Sequence, residues 1–381
     1  MRVLVAPDKF RGTLDARQAA EAVETGWRRT RLSDELTLVP MADGGEGTMD
    51  ALVASLGGRV ERIPATGPLG DPVDAAIGLI DDGGAGPGRL TAVVEMARAS
   101  GLALLREGRR DPRRTTTFGT GELIRAALDA GARRILVCLG GSATNDGGAG
   151  MAQALGARFL DAAGHPVAAG GAALSALGTI DLRAMDLRLR ETTVIGVCDV
   201  DNPLTGPAGA SATFGPQKGA SPDDVRDLDR SLRRLAAVVR RDLGAEFDAE
   251  PGAGAAGGLG FGLMAFCGAH VHSGIDVVME AVGFNRRLSE ADLVVTGEGA
   301  LDHTSLRGKV VGGVLGAATL VGRPVAVIAG RVDVRPPGAV AVMSLVEEVG
   351  EDAAVSDARR SLERVAAKLA ERAPDLTAAR A

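Results

Sequence analysis

A three-part pattern recurs along this chain: a short aliphatic run, a turn of glycines and a carboxylate, then a helix. Residues 2–6 read as a strand, and Asp15 with Gln18 three positions on marks a helix start, followed by Ala19, Ala22, Val23 and Trp27 on one face. Residues 36–39 read as a second strand that runs into Asp43-Gly44-Gly45-Glu46-Gly47, after which residues 48–56 read as helix. The pattern returns late in the chain. Residues 291–296 are a strand ending in Gly297-Glu298-Gly299, 310–320 a helix, 325–329 a strand ending in Gly330, and 356–372 a helix. Strands alternating with helices imply a parallel sheet covered by helices, because parallel neighbours need long crossovers.

Between these ends the texture changes. Residues 59–95 read as strands broken at 68–72 and 81–88, and the chain then resumes as mixed α/β: a helix at 121–130, strands at 134–139 and 193–198, and a polar helix at 222–242. The fold class expected is α/β with two α/β domains: a discontinuous parallel-sheet domain of residues 1–66 and 285–381, and a second domain, 67–284, inserted into it. A length of 381 residues suits two or three domains of about 150 residues each. No fixed repeat period appears, which excludes solenoids and propellers.

Composition narrows the function classes. Aromatic residues are 2% of the chain, so its cores are aliphatic, and the 54 glycines are separated by apolar runs, which rules out collagen and low-complexity disorder. Net charge is −6 with a pI near 5.4, which excludes the basic footprint of a nucleic-acid binder. Cys138, Cys198 and Cys267 are far apart, and none lies in a CxxC, so neither a disulfide framework nor a zinc knuckle is expected. The N-terminus lacks the pattern of a signal peptide, and the longest apolar tract, 310–330, is interrupted by Arg323-Pro324. We expect a cytoplasmic protein without membrane spans. Of its 43 basic residues only Lys9, Lys218, Lys309 and Lys368 are lysines, which draws attention to each.

In open parallel sheets, ligands bind beyond the carboxyl ends of the strands. The first domain delivers Asp8-Lys9-Phe10-Arg11-Gly12, Asp43-Gly44-Gly45-Glu46, Gly297 to Asp302 and Gly330-Arg331 to that edge. Each turn joins an ionisable group to glycines whose N–H groups can approach an anion, ahead of a helix N-terminus. The second domain adds the loop from Gly140 to Gly150, containing Ser142, Thr144, Asn145 and Asp146, together with Asp199 at a strand end and Lys218 in a turn. Other patterns are weaker. Gly252, Gly254 and Gly257 satisfy GxGxxG without the preceding strand, Gly308-Lys309 lacks the rest of a P-loop, and Ser142 is not in a GxSxG elbow. His270, His272 and the basic run 109–114 have ordinary structural or solvated readings, while His303, beside Asp302, is read as near a phosphate and has no second His in reach for a metal role.

Taken together, "VLVAPDKFRGTLDA", "PMADGGEGT", "VEMARASGL", "FGTGELIRAALDAG", "LGGSATNDGGAGMAQALG", "FGPQKGA" and "TGEGALDHTSLRGK" resemble the bacterial glycerate kinase family that includes the glycerate 2-kinases. The resemblance spans about residues 1–370 in the family order. Arg11 stands where many members have Lys, and His303 where members often have Gln. The resemblance implies two α/β domains, one Rossmann- or flavodoxin-like, with ATP and Mg²⁺ phosphorylating D-glycerate in a cleft between them.

Phosphoryl transfer needs a base, cations for the phosphoryl oxygens and carboxylates for Mg²⁺. On the resemblance, Asp43 or Asp146 is the expected base and Asp8 orients the substrate. Arg11, Lys218, Ser142 and Asn145 are expected to hold the glycerate carboxylate. Gly297, Glu298, Gly299, Asp302 and Lys309 are expected at the nucleotide, with Asp199 and Glu298 as Mg²⁺ ligands. Two other activities fit the same residues: phosphorylation at the 3-hydroxyl, and a NAD-dependent hydroxy-acid oxidoreductase. A non-catalytic binding protein fits worse, because an anion-binding module has no use for so many carboxylates.

Overall fold

A computed structural model describes residues 1–10, 12–81, 90–306 and 308–378. In chain order the strands are β1 (Arg2–Val5), β2 (Glu35–Leu38), β3 (Arg59–Thr66), β4 (Pro72–Asp81), β5 (Leu90–Glu95), β6 (Arg134–Cys138) and β7 (Arg158–Asp161). They continue as β8 (Leu177–Asp181), β9 (Thr193–Val197), β10 (His270–His272), β11 (Leu293–Leu301), β12 (Val325–Val332) and β13 (Ala341–Ser344). Parallel sheets flanked by helices confirm the α/β class. The chain divides into two compact units, Met1–Asp43, Asp50–Leu56 and Ser273–Ala381 in the first, Gly44–Met49 and Gly57–His272 in the second. Among the described residues no helix is long and apolar enough to cross a membrane.

In the first unit the sheet order is β13-β12-β11-β1-β2, parallel throughout. Counted within the unit, that is the doubly wound order 2-1-3-4-5, with its switch point between β1 and β11. Val3, Val5, Leu293, Val295, Ala326 and Ile328 form the buried centre, with the helices Ala16–Arg28 and Ala358–Ala378 packed on it. The first helix starts as its sequence dictates. Asp15 accepts from Gln18 N (2.7 Å) while Gln18 Oε1 accepts from Asp15 N (3.1 Å), a reciprocal capping box. Gly26 lets this helix lie against the backbone of Glu363, where any β-carbon would strike the carbonyl. The one Trp of the chain, Trp27, is fully buried and donates its indole N–H to Asp34 at 3.0 Å.

The second unit holds the six-stranded sheet β10-β9-β6-β5-β4-β3, parallel from β10 to β5 and antiparallel beyond. Its core gathers the helices Phe118–Asp129, Ala149–Ala154 and Ala255–Cys267 on aliphatic strand faces, with Phe159 and Phe266 meeting edge to face at 5.5 Å. The GxGxxG match runs into this last helix and begins no dinucleotide motif. Residues 256–258 are left-handed (φ 53, 70 and 89°), and Gly257 and Gly258 face the backbones of Thr144 and Gly147, too close for side chains. The glycines serve backbone packing.

Two local expectations are corrected. Gly297-Glu298-Gly299 is no turn: β11 runs on to Leu301, pairing Gly297 with Ile328 and Glu298 with Ala329 of β12. Gly330-Arg331 is no turn either, since β12 runs on to Val332 and pairs Arg331 with Ala300. Glycine is needed at 297 because a β-carbon would strike the Ile328 carbonyl, and at 330 because one would strike the Gly299 carbonyl. Strand alternation instead aims Glu298 to the opposite face from Gly297 and Gly299.

Candidate active site

In the first unit the carboxyl ends of β1, β2 and β11 place Asp8, Asp43 and Glu298 within electrostatic reach of one another at the switch point. Asp8 leaves β1 with its N–H donated to Gly297 O (2.8 Å), so it is locked to β11. Its carboxyl is buried and accepts from Lys9 N at 2.7 Å. Burial, then the negative charge of Asp43, raises Asp8 to about 7, with Lys9 opposing and Glu298 adding a smaller push. A carboxyl that titrates near neutrality is suited to proton transfer.

Glu298 is also buried, and its Oε1 has no hydrogen-bond partner. Burial raises its pKa, the Ser305 hydroxyl and Lys309 lower it, and Asp302 and Asp43 raise it again. Asp302 caps the turn that follows β11, its Oδ1 accepting from Thr304 N (2.7 Å), Thr304 Oγ1 (2.7 Å) and Ser305 N (3.1 Å). Those bonds, the Thr304 hydroxyl first, hold its carboxyl at about 2. The same turn carries Lys309, whose Nζ donates to Thr304 Oγ1 at 2.9 Å, immediately before the helix Val310–Leu320. Asp302 therefore shapes this turn, and Lys309 is the cation it presents. Arg11 lies outside the described residues.

In the second unit the loop after β6 closes around one ammonium group. Lys218, on a short 3-10 turn (Pro216–Lys218), is 1% exposed and donates to Ser142 Oγ (2.6 Å) and Thr144 O (2.8 Å). Burial lowers its pKa to about 7, and the Asp146 charge opposes that shift. The turn that carries this Lys therefore holds it buried. A slim stem ending in a point charge fits where a planar guanidinium would not. Because Ser142 Oγ accepts from Lys218, its own proton is directed elsewhere, and Ser142 becomes a donor. Asn145 is fully buried; its Nδ2 donates to Ser211 Oγ (3.0 Å), and its Oδ1 has no partner.

Asp146 is occupied differently. Its oxygens accept from Thr117 N (2.8 Å), Thr117 Oγ1 (3.0 and 3.1 Å), Gly148 N (3.2 Å) and Gly150 N (3.2 Å). Thr117 Oγ1 in turn accepts from Met151 N at 2.9 Å. Burial pushes the Asp146 carboxyl up, and these donors oppose it. The carboxylate joins the starts of the helices Phe118–Asp129 and Ala149–Ala154. Asp199 follows β9 on the same strand-end edge as this loop and is exposed. Sequence reasoning did not single out Thr117 or Ser211. Thr117 adjoins the recognised "FGTGELIRAALDAG" run, which was the available signal.

Among the described residues no three His, Cys, Asp or Glu side chains are grouped to hold a metal ion by themselves. A nucleotide-bound Mg²⁺ asks for less, since phosphates and waters supply most of its ligands. The orphaned buried oxygen of Glu298 fits one protein ligand of that kind.

Comparison with known proteins points to one family. A profile described as the glycerate kinase family matches residues 3–373. A glycerate kinase of Bacillus subtilis is 49% identical over 87% of this chain and 85% of its own length. A glycerate 2-kinase of Escherichia coli is 44% identical over 92% of each chain. A solved glycerate kinase 2 chain from Salmonella typhimurium LT2 superposes with a TM-score of 0.89 at 43% identity, covering 98% of both chains.

Proposed function

We propose that this chain, which belongs to the glycerate kinase family, transfers the γ-phosphoryl group of ATP to the 2-hydroxyl of D-glycerate. The observation that carries the reading is the convergence of buried Asp8 with Asp43 and Glu298 on the edge where a doubly wound sheet receives ligands, and burial with the Asp43 charge pushes Asp8 up to about 7. The neighbouring Glu298 and Lys309 supply the charges a phosphoryl donor needs.

In this mechanism Asp8 or Asp43 takes the hydroxyl proton as the substrate oxygen bonds to the γ-phosphorus, while the bond from that phosphorus to the β,γ-bridging oxygen breaks and ADP leaves. The base role moves away from Asp146, because both oxygens of that carboxylate already accept hydrogen bonds, from Thr117 and from Gly148 and Gly150 of its own loop. Lys309, Gly297 and Gly299 remain the nucleotide side of the proposal, with Asp302 shaping the turn. Glu298 is our protein ligand for Mg²⁺, with Asp199 as a second candidate; the ion would neutralise phosphate oxygens. Ser142 and Lys218 are the anion-holding side of the proposal, a hydroxyl donor and a buried positive charge suited to a carboxylate, with Arg11 as a further cation; Asn145 stands beside them with its acceptor Oδ1 unpartnered, which suits a substrate hydroxyl. A cytoplasmic location, where ATP is supplied, is part of the same proposal.

The test is a product assay. Protein, ATP, Mg²⁺ and D-glycerate are incubated, and enolase alone is added. Consumption of the product establishes 2-phosphoglycerate, whereas a requirement for added mutase would falsify the 2-hydroxyl assignment. No ATP turnover would remove the reading altogether.

A further inference from the structure

The segment Gly44–Met49 belongs to the second unit although the residues on either side belong to the first. Something must hold it there, and the structure shows what. Glu95, the last residue of β5, is 3% exposed. Its Oε1 accepts from both Gly47 N (2.8 Å) and Met49 N (3.0 Å), while its Oε2 accepts from Arg98 Nε (2.8 Å). Gly47 and Met49 flank the first residue of the helix Thr48–Leu56. One carboxylate oxygen from a distant strand therefore does what an N-cap side chain does locally, satisfying two orphan N–H groups beside the positive end of the helix.

Two further contacts fix the same segment. Thr48 Oγ1 donates to Gly45 O at 2.7 Å, closing the turn. Gly140 and Gly141, which open the loop containing Ser142, lie directly against it. A β-carbon on Gly140 would sit 2.9 Å from Gly45 Cα, and one on Gly141 2.5 Å from Glu46 Oε1. The turn that begins at Asp43 is thus seated on the Ser142 loop, and Glu95 clamps the far end of the turn.

We propose that Glu95 is a positioning residue for phosphoryl transfer, holding the turn after Asp43 in register with the loop of Ser142 by capping Gly47 and Met49. This gives the run "VEMARASGL" a role that its resemblance alone left open. It rests on the reading that Asp43 and Ser142 serve the reaction. Arg98 orients the carboxylate through Oε2 and leaves the two capping bonds to Oε1.

Glu95→Asp tests the clamp, since it keeps the charge and retracts the carboxylate by one methylene. Displacement of reacting groups lowers kcat more than it raises KM, so we expect kcat to fall about tenfold or more with both KM values within about threefold. Amide exchange of a peptide covering residues 44–49 should quicken in the same variant. Arg98→Ala should keep kcat within about threefold of wild type, because the capping oxygen stays. A Glu95→Asp kcat within about twofold of wild type overturns the proposal, as does a fall in kcat with exchange at 44–49 unchanged. Should that variant not fold, Glu95→Gln is read by the same two measurements, with a smaller expected loss of about threefold from weaker neutral capping. Asp8→Asn and Asp43→Asn separate the site from the clamp. If both keep near-wild-type kcat, the site reading fails and the clamp with it; if Asp43→Asn alone keeps it, the clamp has no group to position and fails while Asp8 stays the base; if Asp43→Asn is inactive while Glu95→Asp is fully active, only the clamp fails.

Discussion

The two clusters of ionisable residues solve opposite problems. In the first unit, Asp8, Asp43 and Glu298 crowd like charges at one sheet edge, and a buried oxygen of Glu298 is left unpartnered. In the second, Asp146 accepts a full set of hydrogen bonds, and Lys218 is anchored by Ser142 and Thr144. The first cluster holds electrostatic tension that a proton or cation relieves. The second is bonded at Asp146 and Lys218 and leaves Asn145 Oδ1 without a partner, and its product is a rigid loop. Tension of this sort marks groups that change state during a reaction, while saturation marks groups that hold others still.

The largest expected effects separate these two roles. Asp8→Asn should lower kcat/KM by roughly 10²–10⁴, the range for loss of a positioned base. It should also stabilise the protein at alkaline pH, and the sign follows from the shift. Asp8 titrates near 7 in the fold against 3.8 when free, so the folded chain binds the extra proton between those values. Its stabilising contribution is complete below pH 4 and is lost as pH rises through 7. The variant should therefore match or trail wild type near pH 4 and exceed it at pH 8, by at most about 4 kcal/mol for a shift of about three units. Urea unfolding at the two pH values checks this. A variant that loses activity and is also less stable at pH 8 would move Asp8 into the structural class.

Asp146→Ala should show the reverse balance. Its removal strands Thr117 N, Gly148 N and Gly150 N in a buried site, at a cost of about 3–5 kcal/mol for a broken buried charge network. Activity lost here should track loop order, and activity per folded molecule should keep the wild-type pH profile. If Asp146→Asn instead stays as stable as wild type but inactive, with a changed pH profile, the contrast between the clusters breaks.

The pH profiles sharpen the comparison further. With Asp8 as the base, wild-type kcat/KM should climb as pH rises toward 7 and level off above it. Lys218 contributes with the opposite slope, on stability. Its fold-lowered value of about 7 against 10.5 means the unfolded chain binds more protons between those pH values, so its contribution to stability rises across that window. Lys218→Met removes the slope and leaves Ser142 Oγ without its donor. We expect a stability loss of about 1–3 kcal/mol at pH 9, shrinking toward pH 6, and a higher KM for D-glycerate.

How much of this was legible beforehand depended on the kind of signal. Strands and helices with strong periodicity were readable: the helices Thr48–Leu56 and Val310–Leu320 sit where the pattern placed them, and Asp15 and Gln18 form the box their spacing announced. Which residues reach the sheet edge was also readable, because parallel topology sends every strand end the same way. What side chains do there was not. Asp43 and Asp146 look alike in sequence, each a carboxylate in a glycine turn, and only the position of Thr117, 29 residues before Asp146, shows that one is saturated. The clamp at Glu95 has the same character, its partners being 46 and 48 residues away. Gly297 misled for a related reason: read as part of a turn, it is required, like Gly257, by a neighbouring carbonyl on another segment, which no local motif encodes.

The smallest effect probes that last point. Ala256 is the only non-glycine residue with positive φ (53°) among those described, and it stands beside Gly257 and Gly258 under the loop that carries Asp146. A left-handed alanine costs about 1 kcal/mol relative to glycine, partly offset by the greater freedom glycine gains on unfolding and by one buried methyl group. Ala256→Gly should therefore change stability by no more than about 1 kcal/mol, in the stabilising direction, and leave kcat unaltered. Gly257→Ala differs by one position and should cost several times more, because its methyl group would strike the Thr144 carbonyl that Lys218 binds. Thermal unfolding of the pair reads the asymmetry directly. Equal destabilisation in both would mean that backbone strain, rather than the seat against Thr144, sets the glycine requirement, and the second cluster would then owe its rigidity to Asp146 alone.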